Sequence, residues 1–222
     1  MNSARLKAII FDFDGVICES VEVKTNAFRK LFADYPKQLD KIIEYHTKNG
    51  GVSRYEKFKV IYKDIIKEEL TQKKFDELCQ QFSKCVYQLV VEAPLVRGAE
   101  EFLTKYYNHL MFFIVSGTPQ DEMISIIREK GLGKYFRNIY GSPRRKDQLI
   151  KLILAENNLE KEKTIFVGDS MTDYQGAKEA GIKFIGRIRS ADFNFFDFNL
   201  EEKIEDLVDL DAWVEKFYLR QA

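Results

Sequence analysis

The sequence predicts an α/β protein: a parallel-sheet core with a block of helices inserted after its first strand. Three observations predict it. Short, wholly apolar runs alternate with helical patterns over residues 94–190, residues 20–92 show helical periodicity alone, and the strong apolar runs end in acidic or small polar residues. Strands that are apolar on both faces belong in a parallel sheet covered by helices.

Taken in order, residues 6–11 (LKAIIF) read as the first doubly buried strand. The block 20–92 then carries two apolar stripes at helical spacing. One is Phe58, Ile61, Tyr62, Ile65 and Ile66; the other is Phe75, Leu78, Phe82, Val86 and Leu89. Pro36 and the cluster Asn49, Gly50 and Gly51 punctuate this block. It is too long for a crossover connection and has the size of a lid. Further strands are expected at 110–115 (LMFFIV), 164–167 (TIFV) and 183–188 (KFIGRI), with a weaker one at 136–140 (FRNIY). One helix is expected to begin at Pro119, an N1 proline behind Thr118 as N-cap, and to stop at Gly131. Others cover 146–157 and 172–180, the second stopping at Gly181. Leu207, Leu210, Trp213, Val214 and Phe217 mark a closing helix, and the aromatic segment 193–200 (FNFFDFNL) reads as core rather than interface. The expected division is 1–18 with 93–222 as the core domain and 19–92 as the helical lid.

The bulk numbers narrow the function. Of 222 residues, 45% are hydrophobic, enough for a sizeable core, and 35 basic residues balance 35 acidic ones. That balance argues against a non-specific nucleic-acid or membrane-surface binder, though not against a local pocket for an anion. The N-terminus reaches a strand pattern by Leu6 without a signal-like apolar region, and no run approaches the ~18 apolar residues of a membrane span. Cys18, Cys79 and Cys85 lack metal-ligand spacing. On one helix, Cys79 and Cys85 stand about 9 Å apart along the axis, too far for a disulfide. The expectation is three reduced thiols in a cytoplasmic protein, Cys79 and Cys85 serving as small core residues.

The strand ends carry the chemistry. The first runs into Asp12 and Asp14, which at i, i+2 can face one pocket while Phe13 turns into the packing. Another ends in Ser116, Gly117 and Thr118, and a third in Gly168, Asp169 and Ser170, with Asp173 close behind. Ligands of an open parallel sheet bind at the carboxyl ends of its strands, so these residues converge. Three carboxylates in one pocket call for a cation, and an all-oxygen set without His or Cys suits Mg²⁺. Ser116 and the backbone N–H groups of Gly117 and Thr118, just ahead of a helix, form an expected anion site. Lys146 starts a helix, where a cation opposes the macrodipole, so an anion is expected to hold it there. Arg144 and Arg145 are expected to face solvent. In the lid, "NGGVSRYEKF" (49–58) sets a glycine pair before a helix start, with Ser53 as N-cap and Arg54 and Lys57 able to reach the site on closure.

Metal, anion donors, a lysine and two carboxylates together describe phosphoryl transfer through an aspartyl phosphate. At this point the chain resembles the haloacid dehalogenase superfamily over nearly its whole length. "DFDGV" (12–16), "FFIVSG" (112–117), Lys146 in "GSPRRK" and "IFVGDSMTDYQGAKEAG" (165–181) are similar to the four motifs of that family, the third without its common lysine–proline pairing. The resemblance implies a Rossmann-like core with an α-helical cap inserted after the first motif. It implies that Asp12 is the nucleophile and Asp14 the acid/base. Mg²⁺ would sit on Asp12, the Asp14 carbonyl and Asp169 with help from Asp173, while Ser116 and Lys146 hold the phosphoryl oxygens. Asp14 sets the chain apart from dehalogenating members, which lack a carboxylate there. The cap loop is similar to that of β-phosphoglucomutases, where an arginine holds a second phosphate. The expectation is a Mg²⁺-dependent phosphatase of a small phosphorylated metabolite, a sugar phosphate or phosphoglycolate-like compound, monomeric or homodimeric. The rivals are a phosphomutase and a non-catalytic regulatory protein on the same fold.

Overall fold

The structure is a computed structural model that describes residues 5–189, 196 and 198–218. Six parallel strands form its sheet: β1 (Ala8–Phe11), β2 (Met111–Pro119), β3 (Asn138–Ser142), β4 (Thr164–Gly168), β5 (Lys183–Arg187) and β6 (Lys203–Ile204), in the order β3-β2-β1-β4-β5-β6. β1 is central because its four residues, AIIF, are buried on both faces. The register sets Phe11 beside Ile114 of β2 and Val167 of β4. Asp12, Ser116 and Asp169 therefore all emerge one or two residues further on, along one edge.

Residue alternation separates the two layers. Ile9, Phe11, Phe112, Ile114 and Val167 face one side, with Phe102, Met123, Ile126, Leu207 and Leu210. Ile10, Phe113, Val115 and Phe166 face the other, against Leu149, Ile150, Ile153 and Ala177. Those partners come from α5 (Ala99–Tyr106), α6 (Gln120–Glu129), α7 (Lys146–Glu156), α8 (Met171–Ala180) and α9 (Leu207–Tyr218).

The inserted helices are α1 (Val21–Leu31), α2 (Leu39–Lys48), α3 (Arg54–Val60), a π-helical turn at Ile61–Ile66, and α4 (Gln72–Glu92). Phe28, Phe32, Phe58 and Phe82 pack ring against ring at their centre. α4 opens on Thr71, whose hydroxyl accepts from the Lys74 N–H, a side-chain N-cap. α5 follows the insertion in sequence but packs Phe102 on Phe11 and Phe112 beneath the sheet.

Several details differ from the sequence-based expectations. β2 runs on through Thr118 to Pro119, and α6 starts at Gln120 with Pro119 as its N-cap residue. The β2–β3 register shifts between Val115 and Pro119, which lets Ser116–Thr118 leave the ladder and turn to the site. The weak pattern at 136–140 is a strand, displaced to Asn138–Ser142. Leu89 is 53% exposed, and Val90 completes the buried row of Leu78, Phe82 and Val86. Ile65 is only half-buried, since the π turn swings it off the stripe. β6 was not anticipated, two residues being too few to show a period. Phe196 is buried against Phe184, as the core reading of that segment expects, whereas Phe198, beside Tyr174, is exposed and departs from it. Phe193, Phe195 and the side chain of Phe217 lie outside the described residues. Among the described residues no helix is long and apolar enough to cross a membrane. All three cysteines are free thiols, Cys18 buried and the other two half-buried.

Candidate active site

Asp12 sits one residue past β1, and its carboxylate is almost sealed from solvent. One oxygen accepts from the Phe13 N–H at 2.6 Å and the other from Lys146 Nζ at 2.8 Å. Lys146, the first residue of α7, also ion-pairs with Asp173. Asp173 in turn closes a capping box with Ser170 at the start of α8. Asp12, Asp169 and Asp173 each bring a carboxylate oxygen to within 4.8 Å of the others. Burial pushes the Asp12 carboxyl well above the usual range, with Asp173, Asp169 and Asp14 adding to it against the pull of Lys146. Asp169 is pushed up to about 7, by burial first and then by Asp173. Burial works against the charge of Lys146, but Asp12 and Asp173 hold its pKa above the ordinary value. Buried acids raised in this way by one another form a place for a cation, and the donor set is all oxygen, which fits Mg²⁺.

Gly15 explains how the chain turns after the pair of acids. Its φ of +76° is a left-handed conformation, and a Cβ there would collide with the Asp169 carboxylate. The turn therefore carries the chain past the acids without covering them.

Asp14 turns elsewhere. Its carboxylate is ion-paired with Lys24 of α1 and accepts from Ser20 Oγ at 2.6 Å and Thr118 Oγ1 at 3.2 Å. Burial would raise its pKa, but Lys24, Ser20 and Thr118 outweigh burial and lower it. Lys24 also donates to Thr118 Oγ1 at 2.8 Å. Lys24 was not singled out from the sequence, although a signal existed. It shares one face of α1 with Val21, Thr25 and Phe28, and a lysine inside a buried stripe needs a partner.

Ser116 is buried, and its Oγ accepts the Thr118 N–H at 3.1 Å, so that amide is already engaged. Ser116, Gly117 and Lys146 border an opening shared with Ser53, Arg144 and Arg145. Arg144 and Arg145 are exposed, as expected, and Arg145 pairs with Asp147 and Glu179.

The inserted loop lies directly over these residues. Thr172 Oγ1 donates to the Gly50 carbonyl at 2.9 Å, and the Gly51 carbonyl abuts Gly117 so closely that a Cβ on Gly117 would not fit. Ser53 caps α3, accepting the Glu56 N–H at 3.4 Å. Arg54 is buried and committed: it forms a two-pronged ion pair with Glu122 of α6 at 2.5 and 3.0 Å, bonds Ser83 at 2.6 Å and lies over Phe82. Lys57 is buried as well, so neither residue is solvated. Its Nζ bonds the His46 carbonyl at 3.0 Å and meets His46 Nδ1 at 3.1 Å. His46 and Glu122 were also missed. His46 shares a buried face with Ile42 and Ile43, the same kind of signal that Lys24 gave. One cavity between insertion and core is bounded by Asp12, Asp14, Asp169, Lys24, Arg54 and Lys57.

A parallel sheet with an aspartate-rich edge, a lysine on the central carboxylate and a helical insertion after the first strand define the class. The chain belongs to the haloacid dehalogenase-like hydrolases, the family whose profile matches residues 9–187, and it is of the phosphatase type. A phosphorylated carbohydrates phosphatase of Thermotoga maritima is 28% identical over 187 residues, 81% of this chain and 84% of that one. Phosphoglycolate phosphatase 1 of Pseudomonas aeruginosa is 26% identical, covering 80% of this chain and 67% of that protein. Among solved structures, a hydrolase from Pseudomonas syringae superposes with a TM-score of 0.76 at 16% identity, over 95% of this chain and 98% of that one, a likeness of fold alone.

Proposed function

We propose that the protein is a Mg²⁺-dependent phosphatase of a small phosphorylated metabolite, working through a phosphoryl group carried on Asp12. The observation that carries this reading is Asp12 itself: a buried carboxylate at a strand end, ion-paired to Lys146 and grouped with Asp169 and Asp173. The named activities of the relatives, on phosphorylated carbohydrates and phosphoglycolate, support the substrate class. Three free thiols fit a reducing, cytoplasmic compartment.

The steps follow from the chain's own groups. An Asp12 carboxylate oxygen attacks phosphorus, the bond to the ester oxygen breaks, and a proton goes from Asp14 to the departing alkoxide. Because Lys24, Ser20 and Thr118 hold Asp14 ionised in the free site, that proton is taken up as the substrate binds. Asp14 then takes a proton from water as that water attacks the phosphoryl group on Asp12, which releases phosphate and returns the Asp12 carboxylate and a protonated Asp14. Lys146 and Ser116 would hold the non-bridging oxygens, with Gly117 N–H, as phosphoryl charge shifts. Bound at Asp12, Asp169 and the Asp14 carbonyl, Mg²⁺ would neutralise charge on the transferring group, with Asp173 steadying the set through Lys146.

The test is hydrolysis of p-nitrophenyl phosphate and a panel of phosphorylated metabolites. Asp12→Asn should abolish turnover in a folded protein, and beryllofluoride should be trapped on Asp12 in the wild type. A variant keeping more than about a tenth of the activity would overturn the covalent route. Conversion of a sugar monophosphate to its positional isomer, stimulated by a bisphosphate, would replace hydrolysis by mutase chemistry.

A further inference from the structure

Each cation lining the catalytic cavity has a carboxylate of its own, with one exception among the described residues. Lys24, half-buried, has Asp14 and buried Arg54 has Glu122, just as Lys146 at the neighbouring opening has Asp12 and Asp173. Lys57 has none within ion-pairing distance. It is 4% exposed, and its ammonium meets only the carbonyl and Nδ1 of His46 and, at 5.7 Å, the face of Phe28. His46 cannot supply the missing charge, because burial and the nearby lysines keep its ring neutral, its pKa pulled down to about 2. Burying an ammonium group without a counter-ion is costly, and here burial, with Lys24 adding to it, lowers the Lys57 pKa to about 7. The charged groups it faces are Lys24 on α1, Asp14 and Asp169 at the strand ends, and Lys146 on α7. None of them bonds to it. An aliphatic residue would fill this position without that cost, so the cavity is built to receive negative charge opposite the carboxylates.

We infer that Lys57 receives a second anionic group on the leaving portion of the substrate, so that the natural substrates are small phosphorylated acids or bisphosphorylated compounds rather than neutral sugar monophosphates. The inference rests on the phosphatase reading above and narrows its substrate class. It moves the reading of the leaving group from Arg54, which Glu122 occupies, to Lys57 one helical turn along α3. His46 holds the ammonium in place, its carbonyl accepting one N–H and Nδ1 another, and leaves the third for the ligand. Phe28, Phe82 and Val52 line the same cavity and leave room for a short carbon chain between the two anions.

The experiment is calorimetric titration of the Mg²⁺-loaded protein with three non-hydrolysable phosphonates. They are 3-phosphonopropionate, ethylene diphosphonate and propylphosphonate, the last lacking a second charge. The wild type should bind one or both charged probes at least about tenfold more tightly than propylphosphonate. Preference for the first identifies a carboxylate in the substrate, and preference for the second a phosphoryl group. Lys57→Met should erase that margin, and Lys57→Arg should retain part of it. Equal binding of all three probes by the wild type would overturn the inference while leaving the phosphatase reading intact, whether or not the variants fold. An unchanged margin in Lys57→Met would overturn it too. Failure of the wild type to bind any of the three would overturn both readings.

Discussion

At the scale of single residues, Asp12 and Asp14 lie two positions apart and meet opposite surroundings. Asp12 is pushed upward among buried acids, while Asp14 is held down by Lys24, Ser20 and Thr118. Those directions belong to the site without its cation: a metal held by Asp12 and Asp169 would keep the Asp12 carboxylate ionised, as a nucleophile must be. Placement rather than the contrast therefore assigns proton transfer to Asp14, which alone hangs on groups of the insertion as well as of the core. Asp14→Asn should therefore cut hydrolysis of alkyl phosphates far more than of aryl phosphates, whose leaving groups need little protonation. Equal losses on the two substrate types would assign Asp14 to structure. Lys57 makes a prediction of its own sign. An anion binds better to its protonated form, whose pKa in the free protein is lowered to about 7. Affinity for 3-phosphonopropionate should thus fall as pH rises through about 7 and continue falling above it, with proton uptake on binding. Propylphosphonate, titrated alongside, corrects for ionisation of the phosphonate itself.

At the scale of elements, α3 is the piece that joins insertion to core. Its N-cap residue Ser53 follows a loop pressed onto Gly117 and Thr172, and its first residue, Arg54, reaches across to Glu122 on α6. The pair is nearly solvent-free, so removing one partner strands a buried charge. Arg54→Ala should cost about 3–5 kcal/mol in urea unfolding, and Arg54→Met combined with Glu122→Leu should recover most of it. Were Arg54→Ala to leave stability untouched and weaken only ligand binding, the arginine would be a substrate contact rather than a clasp. Gly51 adds a constraint to the same element. Its φ is +75° and a Cβ would meet Thr172 and Ser170, so the loop can lie this close to the α8 start only with glycine there.

At the scale of the whole molecule, the charge that matters is local although the net charge is zero. Asp12, Asp169 and Asp173 crowd one edge of the sheet, and a cation bound there relieves their repulsion only while the chain is folded. Millimolar Mg²⁺ should therefore raise the thermal midpoint, and EDTA should lower it and stop turnover together. Asp169→Asn should remove most of the Mg²⁺-dependent shift; an undiminished shift would place the cation elsewhere.

What the sequence by itself determined was the frame. The doubly apolar strands, the helical block after the first of them and the polar residues at each strand end were readable because each depends on local periodicity and on the rule that parallel strands present their carboxyl ends together. Asp12, Asp14, Ser116, Lys146, Asp169 and Asp173 followed from that frame, since each stands next to a strand end or a helix start. Only the tertiary structure decided how the cations are shared out. Lys24, Arg54, Lys57 and Lys146 are all lysine or arginine near a helix start or on a helix face, and nothing in their local sequence says which partner each one takes. Their partners lie 10, 68 and 134 residues away for Lys24, Arg54 and Lys146, while Lys57 reaches only a carbonyl and a neutral ring 11 residues back. Partner choice at such separations is set by which faces the packed helices turn toward the sheet edge, a property of the assembled core rather than of any segment in it.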